Sequence, residues 1–468
     1  MFKYLITLAG LLVAGLVLVS FVETDKPVAK TARENYTQYC ASCHGEKVEA
    51  FVDRKWKNGN EKSQLVASIS NGYADLGMPA WKGVLNDKEI QEMADLVLDC
   101  IKNVDKYKFE TKPTSNVFKS EGMTVTLDTV ASSLDSPWGM AFLPNNEMLV
   151  SDRIGVLYHV DKNKKMTKVT GTPEVLAEGQ GGLLDVALHP QFAKNNLIYL
   201  SYSAFKTEGS DKLSTTAVMR AKFKNNELTE QKTIFEALPY AKTRHHYGSR
   251  LVFDKKGFLY FSVGDRGDQD QNPQFLNSDC GKIHRIKDDG SIPADNPFVN
   301  TKDARPTVFS FGHRNPQGVV YNPKTDEIWE HEHGPRGGDE VNIIKKANNY
   351  GWPVISYGIN YDGSVFTKET AKEGMQQPQI YWLPSIAPCG MTFIKGDKYK
   401  TWQGDLLVGS LRFNYVNRCV MKDNKIVKQE NVLKNVGRVR NITQGEDGYV
   451  YVATENPGYV FRLLPTNQ

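Results

Sequence analysis

Residues 250–265, RLVFDKKGFLYFSVGD, read as a short apolar strand, a turn built on Asp and Gly, and a second apolar strand. An apolar run broken by turn formers is the sequence form of two paired strands. Five further copies begin at Trp138 (WGMAFLPNNEMLVSD), Asp185 (DVALHPQFAKNNLIYLSYS), Gly318 (GVVYNPKTDEIWEHEH), Gly390 (GMTFIKGDKYKTWQGDLLVGSL) and Ile442 (ITQGEDGYVYVATE). A unit recurring every roughly 50 to 70 residues marks a blade-like array. Propeller blades carry four strands each. Six copies therefore predict a mainly β chain, with a six-bladed β-propeller over residues 123–468. A β-sandwich or barrel is the alternative with similar strand density.

The unusual polar residues precede the repeats instead of filling them. Gly179-Gln180-Gly181-Gly182 stands before the second copy, His246-Tyr247-Gly248 before the third and Gly312-His313-Arg314-Asn315-Pro316 before the fourth. Pro384-Ser385-Ile386-Ala387-Pro388 precedes the fifth and Arg438-Val439-Arg440 the sixth. In a propeller, equivalent positions of successive blades meet at one end of the axis. These segments are expected to converge on one mouth, rich in Arg, with a His, an Asn and a Gln. Guanidinium forks pair carboxylates bidentately, so such a cup suits a planar polyanion.

Upstream, residues 103–122 (NVDKYKFETKPTSNVFKSEG) are polar and Lys-rich and carry Pro113, so 109–122 is expected to be a linker. Before it stands Cys40-Ala41-Ser42-Cys43-His44, the Cys-x-x-Cys-His pattern of covalent c-type haem attachment. On a helical turn, positions i, i+3 and i+4 share one face. Cys40 and Cys43 can then hold the haem vinyls while His44 ligates iron. A zinc or redox Cys-x-x-Cys with a chance His is the alternative. A helix from Pro27 to Gly45 leads into the motif. A second, Asn86–Lys102, carries an amphipathic stripe at Ile90, Met93, Ala94, Val97, Leu98 and Ile101 and is capped by Asn86 or Asp87. Residues 26–108 thus form an expected small all-α domain that resembles class I cytochromes c. The resemblance implies Met78, in Gly77-Met78-Pro79, as the second iron ligand. A thioether opposite His raises the haem potential, as suits an electron acceptor.

Residues 4–22 are apolar or small, after Lys3 and before Glu23-Thr24-Asp25-Lys26. At about the ~20 residues that span hydrocarbon, and without a clean A-x-A site, segment 1–25 is an export signal or an uncleaved inner-membrane anchor. Either places the body in the periplasm. A net charge of +4 gives no reason for a nucleic-acid partner. Cys100, Cys280, Cys389 and Cys419 are scattered and suggest no disulfide framework.

From about residue 130 onward the chain resembles the PQQ-dependent soluble glucose dehydrogenase and aldose sugar dehydrogenase family. The strings that carry this are GQGGLLDVALHPQF, HYGSRLVFD, GKIHRI-KDDGSIPADNPF, FGHRNPQGVV, HEHGPRGGDEVNII, NNYGWP and GRVRNI. The resemblance implies His246 as the base for the sugar C1 hydroxyl and Arg314 as the neutraliser of charge growing on the quinone. It implies Asn315, Arg438 and Arg440 as PQQ ligands. Arg412 stands where some relatives have a PQQ-contacting Lys. Gln180 would contact sugar. Trp382 is expected to do so too, although Tyr381-Trp382-Leu383-Pro384 departs in spacing from the glucose enzyme's sugar-stacking region. The carbonyls of Gly334 and Pro335 would hold a Ca²⁺ that also binds PQQ, as hard oxygens suit calcium. Glu340 and the Tyr350 carbonyl would hold a second, structural Ca²⁺. Cys389 stands close to the site where a Ser is common.

Blander roles fit several neighbours. His245 competes with His246 as base, and His313 reads as structural. His331 and His333 share one face of a strand, but the adjacent carbonyls favour Ca²⁺ over a transition metal. His189 and His284 read as packing residues. The Asp-rich run 265–270 lacks the twelfth-position Glu of an EF-hand and reads as a solvated loop. Together these features predict an exported quinohaemoprotein that oxidises an aldose at C1 to the lactone. Its cofactors would be haem c, PQQ and calcium, with electrons leaving through the haem to a cytochrome or respiratory acceptor. A Ca²⁺-dependent lactone hydrolase and a non-catalytic sugar-binding propeller are the alternatives, and both leave the haem idle.

Overall fold

The computed structural model describes residues 30–45, 48, 56–103, 113 and 115–466. Six antiparallel sheets form the large domain. Their first strands are Pro137–Phe142, Leu183–Leu188, Leu251–Phe253, Pro316–Asn322, Pro388–Phe393 and Arg438–Gln444. Each sequence repeat starts inside one of these strands or one residue before it. The first strands of neighbouring blades lie against one another all the way round, the last against the first. They line the axis, so the segments preceding them do gather at one end.

Burial explains the composition of the blades. The inner strands Pro388–Phe393 and Leu406–Ser410 of the fifth blade are buried at every residue, whereas its outer strand Lys425–Val432 is mostly exposed. Apolar clusters fill the wedges between blades. One, with Trp329, Val341, Trp382, Met391 and Leu406, seals the fourth to the fifth. Each such side chain contributes roughly 1.5–3 kcal/mol on burial.

The sixth sheet has five strands drawn from both ends of the domain. Met123–Leu134 runs antiparallel to Gly458–Thr466, and Val117–Ser120 pairs on its outside with residues 123–126. This corrects the linker boundary: Phe118 is buried with Val125 and Leu127, so residues 117–122 belong to the closing blade.

In the small domain, Ala32–Asn35, Tyr36–Cys40 and Ala41–His44 follow one another as a helix with a π turn at Tyr36–Cys40. Such π turns recur at functional sites. The helix Asp87–Lys102 starts in a full capping box, Asn86 Oδ1 accepting from the Glu89 amide at 3.0 Å and Glu89 Oε2 from the Asn86 amide at 2.9 Å. A cap of this kind is worth ~1 kcal/mol. The stripe residues Ile90, Met93, Ala94 and Val97 are buried with Tyr36, Leu65 and Trp81. Leu98 and Ile101 pack on the cluster's edge. The expected signal or anchor, residues 1–25, lies outside the described residues. Among the described residues, no helix is long and apolar enough to cross a membrane. None of the six cysteines is in a disulfide.

The small domain sits on the mouth end of the propeller. The Arg244 amide donates to the Asp75 carbonyl. Gly77 lies against the His245 ring, and the Arg336 guanidinium stands 5.4 Å over the Tyr39 ring.

Candidate active site

His246 lies on the turn entering the third blade, with a backbone φ of +54°. A non-glycine residue in this sparsely allowed region is strained and persists where surroundings enforce it. Here the Gln180 side chain accepts from the His246 amide at 2.9 Å. The next turn residue but one, Gly248, has φ +62°, and a Cβ there would lie 2.8 Å from the Ser262 carbonyl group. His246 Nδ1 donates to Asp265 Oδ1 at 2.7 Å, which leaves Nε2 as the proton-accepting nitrogen. Burial and the Arg314 charge hold the His246 pKa below its usual 6.5, opposed by Asp265. The imidazole is therefore neutral at neutral pH, the form a general base needs. Burial alone would raise Asp265, but His246, Arg314 and the Gly267 amide outweigh it and bring its pKa down to about 2.

Asp265 was expected in a solvated loop. Instead it is 1% exposed and also accepts from Trp352 Nε1 at 2.9 Å. A sequence signal for it existed. Three of the six repeats end on an acid, Asp152, Asp265 and Glu455, and a fourth carries Glu332 one residue before its end; all four acids are buried at the mouth ends of their blades. Each holds mouth segments in place. Asp152 accepts from the amides of Asp135 and Ser136, and Glu332 from the Arg314 amide and His313 Nδ1.

Arg314 reaches the mouth with its Nη1 donating to the Gly334 carbonyl at 2.9 Å and its Cζ 5.2 Å over Trp352. Its Nε is buried without a hydrogen-bond partner. An orphaned buried guanidinium N–H is costly, and an anionic or carbonyl oxygen of a ligand would satisfy it. Asn315 is buried, its Oδ1 accepting from the Gly248 amide at 3.2 Å and Gln317 Nε2 at 3.1 Å. Arg438 and Arg440 both meet Glu455, through Nε at 3.1 and 2.9 Å. Burial would raise Glu455, but the two guanidiniums win and lower it to about 2. Arg412 Nη1 donates to the Ser385 carbonyl at 3.3 Å. Cys389 Sγ accepts from Arg440 Nη1 at 3.4 Å and Arg250 Nη2 at 3.5 Å, which gives the thiol its role. The donor set fits a polyanionic quinone.

Trp382 does not fit its expected sugar contact. Its ring is buried between the fourth and fifth blades, and its Nε1 donates to Gln429 at 2.7 Å. The exposed aromatic of that segment is Tyr381, stacked on Tyr357 at 3.8 Å. His313 is buried, bonded to Ser310 and Glu332 and stacked on Tyr350. His331 and His333 reach the carbonyls of Gly390 and Pro388 on the fifth blade and do not converge.

For a cation, the turn after Gly334 supplies oxygen. A Cβ on Gly334 would fall 2.3 and 2.4 Å from the carbonyl oxygens of Gly337 and Gly338, so backbone oxygens crowd there. Glu340 and Glu332 line one cavity with Tyr350. Burial, then repulsion from Glu332, pushes the Glu340 pKa up to about 8. A dication between the carboxylates would relieve that repulsion.

The haem side meets these residues directly. One cavity of about 220 Å³ is lined by Cys43, Met78, Gln180, His245, His246 and Arg314. Fold and site together define a propeller dehydrogenase of sugars carrying its own cytochrome c domain. Residues 134–462 match the glucose/sorbosone dehydrogenase family model and residues 27–97 that of the cbb3-type cytochrome c oxidase subunit III. The chain belongs to the glucose/sorbosone dehydrogenase family. It is 40% identical over 352 residues to the aldose sugar dehydrogenase YliI of Escherichia coli, covering 74% of this chain and 94% of that one. It is 26% identical over 427 residues to quinoprotein glucose dehydrogenase B of Acinetobacter calcoaceticus, covering 74% of this chain and 88% of that one. The PQQ-bound aldose sugar dehydrogenase of Streptomyces coelicolor superposes with a TM-score of 0.61 at 27% identity, over 73% of this chain and 98% of that one.

Proposed function

We propose that the protein oxidises an aldose at C1 to the lactone with PQQ and passes the electrons to its own haem, exported to the periplasm. The observation that carries this reading is the shared cavity, where His246 and Arg314 face Cys43 and Met78. PQQ, when bound, supplies the two-electron acceptor, and haem c relays electrons singly. His246 Nε2 takes the proton from the C1 hydroxyl, and Asp265 steadies the imidazolium that forms. Arg314 presents positive charge where the acceptor becomes negative. Asn315, Arg412, Arg438 and Arg440 hold and orient the quinone, with Glu455 fixing the forks of the last two. Gln180 braces His246 through its amide and faces the sugar. The oxygen-rich turn at Gly334 and Pro335 would hold one Ca²⁺, and Glu340 with the Tyr350 carbonyl a second. His44 and Met78 would ligate the iron of haem c, with Cys40 and Cys43 as its thioether anchors. An outside cytochrome or respiratory carrier would take up the electrons.

The test is the haem absorbance spectrum of PQQ- and Ca²⁺-loaded protein mixed with a panel of aldoses. Sugar-driven, PQQ-dependent haem reduction supports the reading, and loss of it in His246→Ala with PQQ still bound supports the base. Haem that every aldose leaves oxidised, yet dithionite reduces, would overturn the assigned reaction.

A further inference from the structure

Tyr361 stands where the two domains meet. It comes from the long segment between the third strand of the fourth blade, Asp339–Ile344, and the fourth, Ile380–Trp382. Its ring packs on the apolar cluster of the haem domain. It also lines the shared cavity. The Arg314 guanidinium lies 6.0 Å from the ring centre, and Cys43 lines the same cavity. Arg314 thus has both Trp352 and Tyr361 as aromatic neighbours. The remaining interface contacts described above include a backbone bond to Asp75 and the close approach of Gly77 to His245, neither of which depends on the Tyr361 segment.

We propose that Tyr361 is the positioning residue that couples the domains: its ring seats the haem domain on the mouth beside Arg314, and electrons cross beside it to the haem. This rests on the function proposed above. The electrons balance as follows. The sugar loses two electrons and two protons on becoming lactone. One proton goes to His246 and the other is released to water as the cofactor is reoxidised. Ferric haem accepts one electron at a time, so an external one-electron acceptor must reoxidise it between the two transfers.

The experiment uses the full-length holoprotein with Tyr361→Leu and Tyr361→Phe. Stopped-flow absorbance reads the rate of haem reduction by sugar, a two-electron dye reads sugar oxidation at the propeller, and small-angle scattering reads domain docking. A buried aromatic contact removed from a docking surface shifts the docked population by about tenfold or more. Tyr361→Leu is expected to slow haem reduction by at least that factor relative to dye reduction, and to expand the particle. Tyr361→Phe keeps the ring, so it stays compact and holds the haem-to-dye ratio near the parent's. Tyr361→Leu with a parental haem-to-dye ratio, or a particle as compact as the parent, would overturn the proposal. If no sugar reduces either dye or haem in the parent, the proposed function fails, and scattering still decides whether Tyr361 docks the domains.

Discussion

Replacing Asp265 by Asn changes charge with almost no change of shape, and the structure sets the cost. Its two oxygens serve three donors: His246 Nδ1 at 2.7 Å and the Gly267 amide at 2.8 Å on Oδ1, and Trp352 Nε1 at 2.9 Å on Oδ2. An amide has a single acceptor oxygen. If that oxygen stays on His246, the indole N–H of Trp352 faces another donor, costing about 1–3 kcal/mol of stability. If the amide turns over, His246 must accept at Nδ1 and carry its proton on Nε2, the nitrogen that has to receive one. In either arrangement the charge-assisted bond to the imidazolium is lost. Such bonds are worth about 1.5–3 kcal/mol, which is roughly a tenfold to 150-fold fall in kcat at about 1.36 kcal/mol per decade. Dye-linked oxidation of an aldose by Asp265→Asn at saturating PQQ measures it, with PQQ affinity determined separately. A kcat within about threefold of the parent would refute the Asp265–His246 pairing as part of the chemistry.

Other expected outcomes concern stability and the metal sites. Glu455→Gln leaves two buried guanidiniums short of their counter-charge and is expected to lose about 3–5 kcal/mol by denaturant titration, with weaker PQQ binding. Burial holds His245, His284 and His331 neutral, with pKa values of about 3, 4 and 3 against 6.5. Below about pH 6.5 the unfolded chain binds more protons than the native one, so this stability is full above 6.5 and lost as pH falls toward 4. A series of thermal melts from pH 7 to 4 reads this as a falling Tm, and a flat Tm would contradict neutral burial. Glu340→Gln removes one of two facing carboxylates, so Tm in chelator should rise while any calcium-dependent gain disappears. Met78→Ala should keep haem covalently attached but lower its potential in a redox titration.

Both the blade count and the place of the mouth were legible in the repeat, because a propeller stamps its period on the sequence. The Cys-x-x-Cys-His motif was legible because Cys40, Cys43 and His44 sit within one helical turn. Asp265 and Glu455 were harder to see. An acid at a strand end looks like a surface residue unless the repeats are aligned on their last position. Tyr361 lies in a segment with no counterpart in the other copies, so no periodicity pointed to it. Trp382 was misplaced for the opposite reason: its strand supplies a side chain to the wedge between blades, and a Trp is large enough to reach Gln429 across it. Residues 117–120 read as tether in the sequence because their polar neighbours mask Phe118.

The sheet that joins both ends of the propeller imposes an order on how the protein comes into being. Gly458–Thr466 lies between Val450–Glu455 and Met123–Leu134, so the ring has no closed form until the final strand is made. Arg438 and Arg440 belong to that same sheet. The Arg-rich cup is therefore among the last things to exist, whereas the Cys-x-x-Cys-His helix, at residues 40–44, is complete once a small fraction of the chain has been made. Haem attachment could then begin on an unfinished molecule, whereas any ligand of the Arg-rich cup would need a finished one. A chain cut short near residue 457 would then be a red protein without a cofactor cup, and its colour alone would overstate the amount of active enzyme in a preparation.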